Sequence, residues 1–319
     1  IGLRELSTFA SQSISIFKII LDMIFTSRYN QLMNPKICVV GSSNIDQISY
    51  VETIPSDGET VFGNSYQMGF GGKGANQAVM AGLLGAETFM ITCLGDDVYA
   101  DMTIDNYIKC GVNVEHIQKV DGSSGVAPIW VDQSGQNRII VVSGANDKID
   151  AEKAASSLLE IGDLNVLIGQ FEIPMSVTQE VFSVAKNNGI TTILNPAPAK
   201  IPSDELLQLT DWFVPNEVEF STITGMDAYN DENLISYANT ISSNLIVTLG
   251  ENGAALVLEN SVVKISAPHV TAIDTTGAGD AFVGAFAFGI ASGKSPEESI
   301  SLGIQKASDS VTRTGTQSS

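Results

Sequence analysis

Six apolar runs constrain this chain more than anything else in it. They are KICVVGSS (36–43), TFMITCLG (88–95), VLIGQF (166–171), TTILNPA (191–197), DWFVPN (211–216) and NLIVTLG (244–250), each bounded by Gly, Asn or Pro. A strand with no polar alternation must be covered on both faces, the condition of a central parallel sheet. Helical patterns fall between them at 74–84, 97–109, 175–187 and 278–291, with Gly85, Gly111 and Gly189 where C-terminal caps belong. Repeated βα units of this length, joined by right-handed crossovers, give a three-layer α/β/α sandwich on a mostly parallel sheet. Residues 35–319 of this 319-residue chain, which is 44% apolar, suffice for one such domain.

Two segments do not fit the pattern. Residues 45–68 and 125–143 alternate apolar and polar with the two-residue period of half-exposed strands. In the second, GVAPIWVD and NRIIVVSG flank Gln133-Ser134-Gly135-Gln136, a hairpin turn. A small β-sheet lid standing off the main body is expected. One face would cover a ligand, and the other face and edges would seat a second copy, giving a homodimer. Residues 1–34 are expected to lie outside the fold, as an N-terminal extension, upstream sequence or targeting segment. Their apolar stretch at 14–25 is interrupted by Lys18 and Asp22, too short and too charged for a membrane span.

Charge excludes some partners. Thirty-six acidic residues against 16 Lys and Arg leave a net charge of −20, which repels nucleic acid and anionic membranes. An anionic substrate would have to be held by local devices. Three scattered cysteines, Cys38, Cys93 and Cys110, suit reduced thiols in a cytoplasmic protein, or an organellar one if the first 32 residues are a transit peptide. Two histidines leave no material for a His-based zinc site.

Four groups of residues carry chemistry. GFGGKGANQA (69–78) formally fits a dinucleotide fingerprint through Gly69, Gly71 and Gly74, but follows the lid segment instead of the first strand. It is better read as a glycine turn opening a helix, carrying Lys73 and Asn76, where ligand contact explains three glycines better than a generic turn. Asn44-Ile45-Asp46 lies just past the first strand, and side chains two apart on extended chain point the same way. An amide and a carboxylate so placed can chelate two vicinal hydroxyls, at the strand end where open α/β sheets bind ligands. DTTGAGDAF (274–282) puts the N–H groups of Gly277, Ala278 and Gly279 at a helix start, a nest for an anion. Asp280 in the same turn supplies a base beside that nest, the arrangement phosphoryl transfer to a hydroxyl needs. NPAPA from Asn195, Asn216 with Glu219, and Thr248-Leu249-Gly250-Glu251-Asn252-Gly253 each follow a strand, so they converge on one sheet edge. Asn216 and Glu219 could hold a magnesium-water shell, and Thr248 to Gly253 offers donors for nucleotide phosphates.

Together these segments resemble the PfkB-type ribokinase family of sugar kinases, from about Lys36 onward. GGKGAN and DTTGAGD are its two signatures, and the second is highly specific. Asn44-Ile45-Asp46, GGKGANQA and NPAPA resemble its ribokinase branch more than its fructokinase or adenosine kinase branches. The resemblance implies ATP-dependent phosphorylation of D-ribose at O5. It implies sugar contacts from Asn44, Ile45, Asp46, the Gly72-Lys73-Gly74-Ala75-Asn76 turn and Glu172. It also implies Asp280 as base, Gly277, Ala278 and Gly279 as anion hole, and ATP held by Asn195, Thr248 to Gly253, Gly279 and Asp280. Mg²⁺ would be organised by Asn216 and Glu219. K⁺ would sit among Asp274, Thr276, Ser310, Arg313, Gly315 and Ser319. The chain departs from the family near its end. Ile304 stands where relatives often carry His or Asn near the adenine, Lys306 and Asp309 interrupt a small-residue helix, and a shortened C-terminus is expected at Ser319.

Overall fold

A computed structural model of the chain describes residues 35–317. The readings for residues 1–34 and for Ser319 fall outside it. In chain order the strands are β1 (Lys36–Val40), β2 (Asn44–Val51), β3 (Gly63–Gly71), β4 (Glu87–Leu94), β5 (Val112–Asn113), β6 (Ile117–Lys119) and β7 (Gly125–Val131). They continue as β8 (Asn137–Ile139), β9 (Val166–Gly169), β10 (Thr191–Leu194), β11 (Trp212–Phe213), β12 (Asn244–Thr248), β13 (Ala254–Leu258) and β14 (Ser261–Ile265). The helices are α1 (Lys73–Leu83), α2 (Val98–Lys109), α3 (Ala151–Ile161), α4 (Met175–Asn187) and α5 (Asp204–Gln208). After them come α6 (Glu217–Thr224), α7 (Asp231–Ala238), α8 (Ala278–Ala291) and α9 (Pro296–Ser310).

The main sheet runs β14-β13-β12-β11-β10-β9-β1-β4-β5, with β6 also on β4. It is parallel from β5 to β12 and antiparallel only in the β12-β13-β14 edge. That antiparallel edge goes beyond what the sequence predicts, because β14 is a short run with Lys264 in it. The central strand explains the continuous apolar runs. Ile37 and Val39 pack into a core with α1, α8 and α9, while Cys38 and Val40 pack into another with α3, α4, α6 and α7. All four side chains are fully buried, so neither face of β1 tolerates a polar residue.

The expected strands all form, but each is shorter at its carboxyl end than the apolar run. Ser42-Ser43 and Asn195 lie beyond the strands by then, and Asn216 keeps only a single bridge to Thr248, because those ends turn out to build the site. The four expected helices form within one residue of their expected bounds. The lid also forms, as a separate sheet ordered β3-β2-β7-β8, with β7 and β8 an antiparallel hairpin closed through Gly135 at φ 81°. Its first strand begins at Asn44 and its second ends at Gly71, so the lid feeds directly into α1.

Candidate active site

The carboxyl ends of β1, β9, β10, β11 and β12 face the N-termini of α1 and α8. Between them lies a cleft of about 130 Å³, lined by Lys73, Asn195, Asn216, Glu219, Thr248, Gly277 to Asp280 and several apolar neighbours. Most of the catalytic and nucleotide residues expected from the sequence therefore meet in one place.

Helix α8 starts at Gly277, whose φ of 76° only glycine adopts at little cost, and the Thr316 side chain packs over it. Asp280 falls in the first turn, nearly buried, with both carboxylate oxygens engaged. Asn76 Nδ2 donates to one at 2.9 Å and Gln77 Nε2 to the other at 3.1 Å. Burial pushes the Asp280 carboxyl up, opposed by the Lys73 ammonium and these two amides. The reciprocal field of Asp280 holds Lys73 charged despite its own burial, helped by Glu172 and Glu219. Cation and anion thus stabilise one another across the two helix starts.

The sugar-side residues cluster around β1, β2 and α1. Glu172 accepts from Ser42 Oγ at 2.6 Å and from the Lys73 backbone N–H at 3.0 Å, tying β1, β9 and α1 together. Asn44 Oδ1 accepts from Asn146 Nδ2 at 2.8 Å, and Asn146 in turn accepts from the Ser43 N–H at 2.9 Å. Ile45 is buried between Asn44 and Asp46, as the two-residue period requires. Asp46 is pushed up to about 7, by burial first and then by the charges of Glu172 and Asp280. Ala75 is packed in the core and cannot reach a ligand by its side chain.

The glycines of the first motif have a protein reason. A Cβ on Gly71 would overlap the Asp46 carboxylate, one on Gly72 would come within 2.8 Å of the Asn44 nitrogen, and one on Gly74 within 2.7 Å of the Ser42 nitrogen. Close packing of the first turn of α1 against the β1–β2 turn accounts for them, where the sequence suggested ligand approach.

On the nucleotide side, Asn195 lines the cleft with its Nδ2 donating to Val214 O at 3.0 Å. Thr248 also lines it, but Leu249 is buried and its N–H closes a turn onto Gly253 O at 2.8 Å. Gly250 to Asn252 form a short 3-10 turn outside the cleft lining. Asn216 and Glu219 cap α6 reciprocally, at 2.7 and 2.9 Å. Burial pushes the Glu219 carboxyl up, against the Asn216 N–H and Lys73. Among the described residues no cluster of three or more His, Cys, Asp or Glu forms. Mg²⁺ fits here only in the manner usual for it: one carboxylate, with water and phosphate supplying the other ligands.

Asp274 meets the C-terminal segment as expected. Its carboxylate accepts from the Thr276 N–H at 2.9 Å and the Gly315 N–H at 3.2 Å, and its own N–H reaches Val311 O. Ser310 is buried, with its hydroxyl turned to Ala307 O, and Arg313 is exposed. The two loops expected to flank a monovalent cation are therefore in contact. Ile304 is buried in the core with α8, so its side chain does not open toward a base.

Five residues of the site lie beyond the sequence reading. Gln77 is in plain view inside GGKGANQA, and Gln170 two residues before Glu172. Ser42, Asn146 and Gln317 carry no local signal. Gln317 donates to Asn76 Oδ1 at 2.9 Å and accepts from Asn106, so the chain end reaches the centre of the site.

Comparison with known proteins shows the family. Residues 34–319 match the pfkB family carbohydrate kinase domain. A deoxyribokinase of Salmonella typhimurium is 37% identical, over 89% of this chain and 94% of its own. A ribokinase of Haemophilus influenzae is also 37% identical, over 90% and 95%. The structure of Arabidopsis thaliana ribokinase complexed with ribose and ATP superposes with a TM-score of 0.81 at 32% identity, over 88% and 94%. The chain belongs to the pfkB family of carbohydrate kinases.

Proposed function

We propose that this protein is a ribokinase, transferring the γ-phosphoryl group of ATP to O5 of D-ribose. The observation that carries the reading is Asp280, a buried carboxylate held by two amides beside the α8 N-terminus. Asp280 takes the proton of the 5-hydroxyl as its oxygen forms the new bond to phosphorus and the bond to ADP breaks. The N–H groups of Gly277 and Gly279, joined by that of Ala278 once its 3.3 Å bond to Thr275 O opens, receive the equatorial oxygens of the group in flight. Lys73 offsets the charge that gathers between substrate and base. Asn44 and Asp46 grip the ring hydroxyls, and Glu172 holds the Lys73 turn in place. Asn195 and the Thr248–Gly253 segment receive ATP. Mg²⁺, when bound near Glu219, neutralises phosphate charge. Asp274 and the segment around Gly315 would hold K⁺, which when bound would steady the loop that leads into Gly277.

We assign the reaction to the cytoplasm, where the buried, unpaired Cys38 and Cys93 suit a reducing environment. We also assign a homodimer through the lid. Its outer strand β3 exposes Tyr66 and Met68, and Phe62 beside it is almost fully exposed, a surface that a second copy would cover.

A coupled ADP-release assay over a panel of sugars tests the reading. Ribose should be the best substrate, and Asp280→Asn should lower kcat by about 10²–10⁴ while ribose binding remains measurable. Retention of more than half of wild-type kcat would remove Asp280 from the chemistry. K⁺ should raise kcat/KM over Na⁺, and equal rates in K⁺, Na⁺ and choline would remove the cation assignment. The 37% identity to a deoxyribokinase favours 2-deoxyribose as the second reading. A 2-deoxy sugar deprives Asp46 of one partner, so faster turnover of deoxyribose than ribose would select it.

A further inference from the structure

The Asp280 carboxylate is the end point of a chain of buried amides. Gln77 Nε2 spends one hydrogen on Asp280 Oδ1 and the other on Asn195 Oδ1, both at 3.1 Å. Gln77 can then present only its oxygen to the next residue, Gln170, whose Nε2 donates at 2.7 Å. Gln170 must in consequence turn its Oε1 away, toward the bare Cα of Gly41. There it has no hydrogen-bond partner. Both glutamines are fully buried.

A buried acceptor left unpaired is costly and uncommon. Here it follows from the polarity of the chain. A carboxylate only accepts, so each amide behind it must point donors forward, and the last oxygen is left over. Flipping Gln170 would set two amide oxygens against each other. Flipping Gln77 would set its oxygen against Asp280. Gly41 leaves room for this arrangement, since any Cβ there would overlap the Gln170 oxygen.

We propose that Gln77 and Gln170 are positioning residues for the base. Gln77 fixes the orientation of the Asp280 carboxylate, and Gln170 fixes which end of the Gln77 amide faces it. The proposal rests on Asp280 being the base. Being fully buried, the two glutamines act through Asp280 and not on the sugar. Without their grip, the strongest remaining pull on the carboxylate is the Lys73 ammonium, which would draw it from the line of the reacting hydroxyl.

A double-mutant cycle tests this, with Asp280→Asn run beside it. Gln77→Met should lower kcat about ten-fold or more, the scale of a hydrogen bond to a charged group. The ribose KM should stay within about two-fold, because the sugar contacts are intact. Gln170→Met should lower kcat less, with a thermal midpoint close to wild type, since it removes one unpaired oxygen and creates another. The double variant should lose no more than Gln77→Met alone, because Gln170 works through Gln77. Losses that multiply, or a ribose KM that rises in step with the fall in kcat, would overturn the proposal. If Gln77→Met does not fold, Gln170→Met decides: lower kcat at an unchanged midpoint supports it, and unchanged kcat refutes it. An inactive Asp280→Asn with both glutamine variants near wild type would sink this proposal alone. An active Asp280→Asn would sink the base assignment beneath it.

Discussion

Helix α1 opens through Gly71-Gly72-Lys73-Gly74, and helix α8 through Gly277-Ala278-Gly279-Asp280. In both, glycine opens the helix at positive φ, 90° at Gly72 and 76° at Gly277, and neither helix has a side-chain N-cap. One helix start brings a cation into the cleft and the other an anion. Their glycines nevertheless answer to different demands. Gly72 and Gly74 of α1 are pressed against backbone of the β1–β2 turn, whereas a Cβ on Gly279 would meet nothing within 4 Å. The start of α1 is glycine-rich so that the protein can close on itself. At Gly279 the start of α8 borders open space.

Substituting alanine at one position of each helix start turns that contrast into numbers. Gly72→Ala places a Cβ on backbone atoms at 2.8–3.0 Å in a conformation that L-residues avoid. Backbone strain and overpacking add to about 2–5 kcal/mol of lost stability, read as a lower midpoint in urea unfolding. A stability change below about 1 kcal/mol would mean that the α1 turn relaxes freely, and the contrast between α1 and α8 would vanish.

Gly279→Ala should give the opposite pattern. The free protein gains helix propensity, about 0.5–1 kcal/mol, with no clash to offset it. Turnover should still fall about ten-fold or more, since the added methyl takes space beside the amides that receive the transferred group. Equal kcat with raised stability would show that nothing approaches Gly279 closely.

The same contrast explains what the sequence made legible. The main sheet could be read because β1, β4, β9, β10 and β12 are apolar on both faces, and helices of 11–13 residues separate several of them. The place of Asp280 in the first turn of α8 could be read because small residues followed by an apolar run mark a helix start. The tight fit at the start of α1 could not, because the atoms it meets, Ser42 and Asn44, lie about thirty residues upstream. Gln170 and Gln317 escaped for the same reason. A glutamine becomes part of a site only through what the fold sets against it, and their partners lie 93 and 241 residues away.

The smallest expected effect concerns protonation on the tight side. Asp46 lies against Gly71, and its carboxyl is pushed up to about 7 by burial, Glu172 and Asp280. In the unfolded chain an Asp titrates near about 4. Between those values the folded state binds more protons than the unfolded one. The stability Asp46 contributes is therefore fully present below about pH 4 and lost as pH rises through about 7. Ribose reverses the balance, because its hydroxyls donate to the charged form and favour it. Ribose affinity should then rise several-fold, at most about ten-fold, between pH 6 and 8, with proton release on binding near pH 7. Calorimetry in buffers of different ionisation enthalpy measures both. Asp46→Asn should bind ribose more weakly and lose most of the pH dependence. An unchanged pH profile in that variant would move the titration to Asp280, leaving Asp46 to hold the lid strand against the turn.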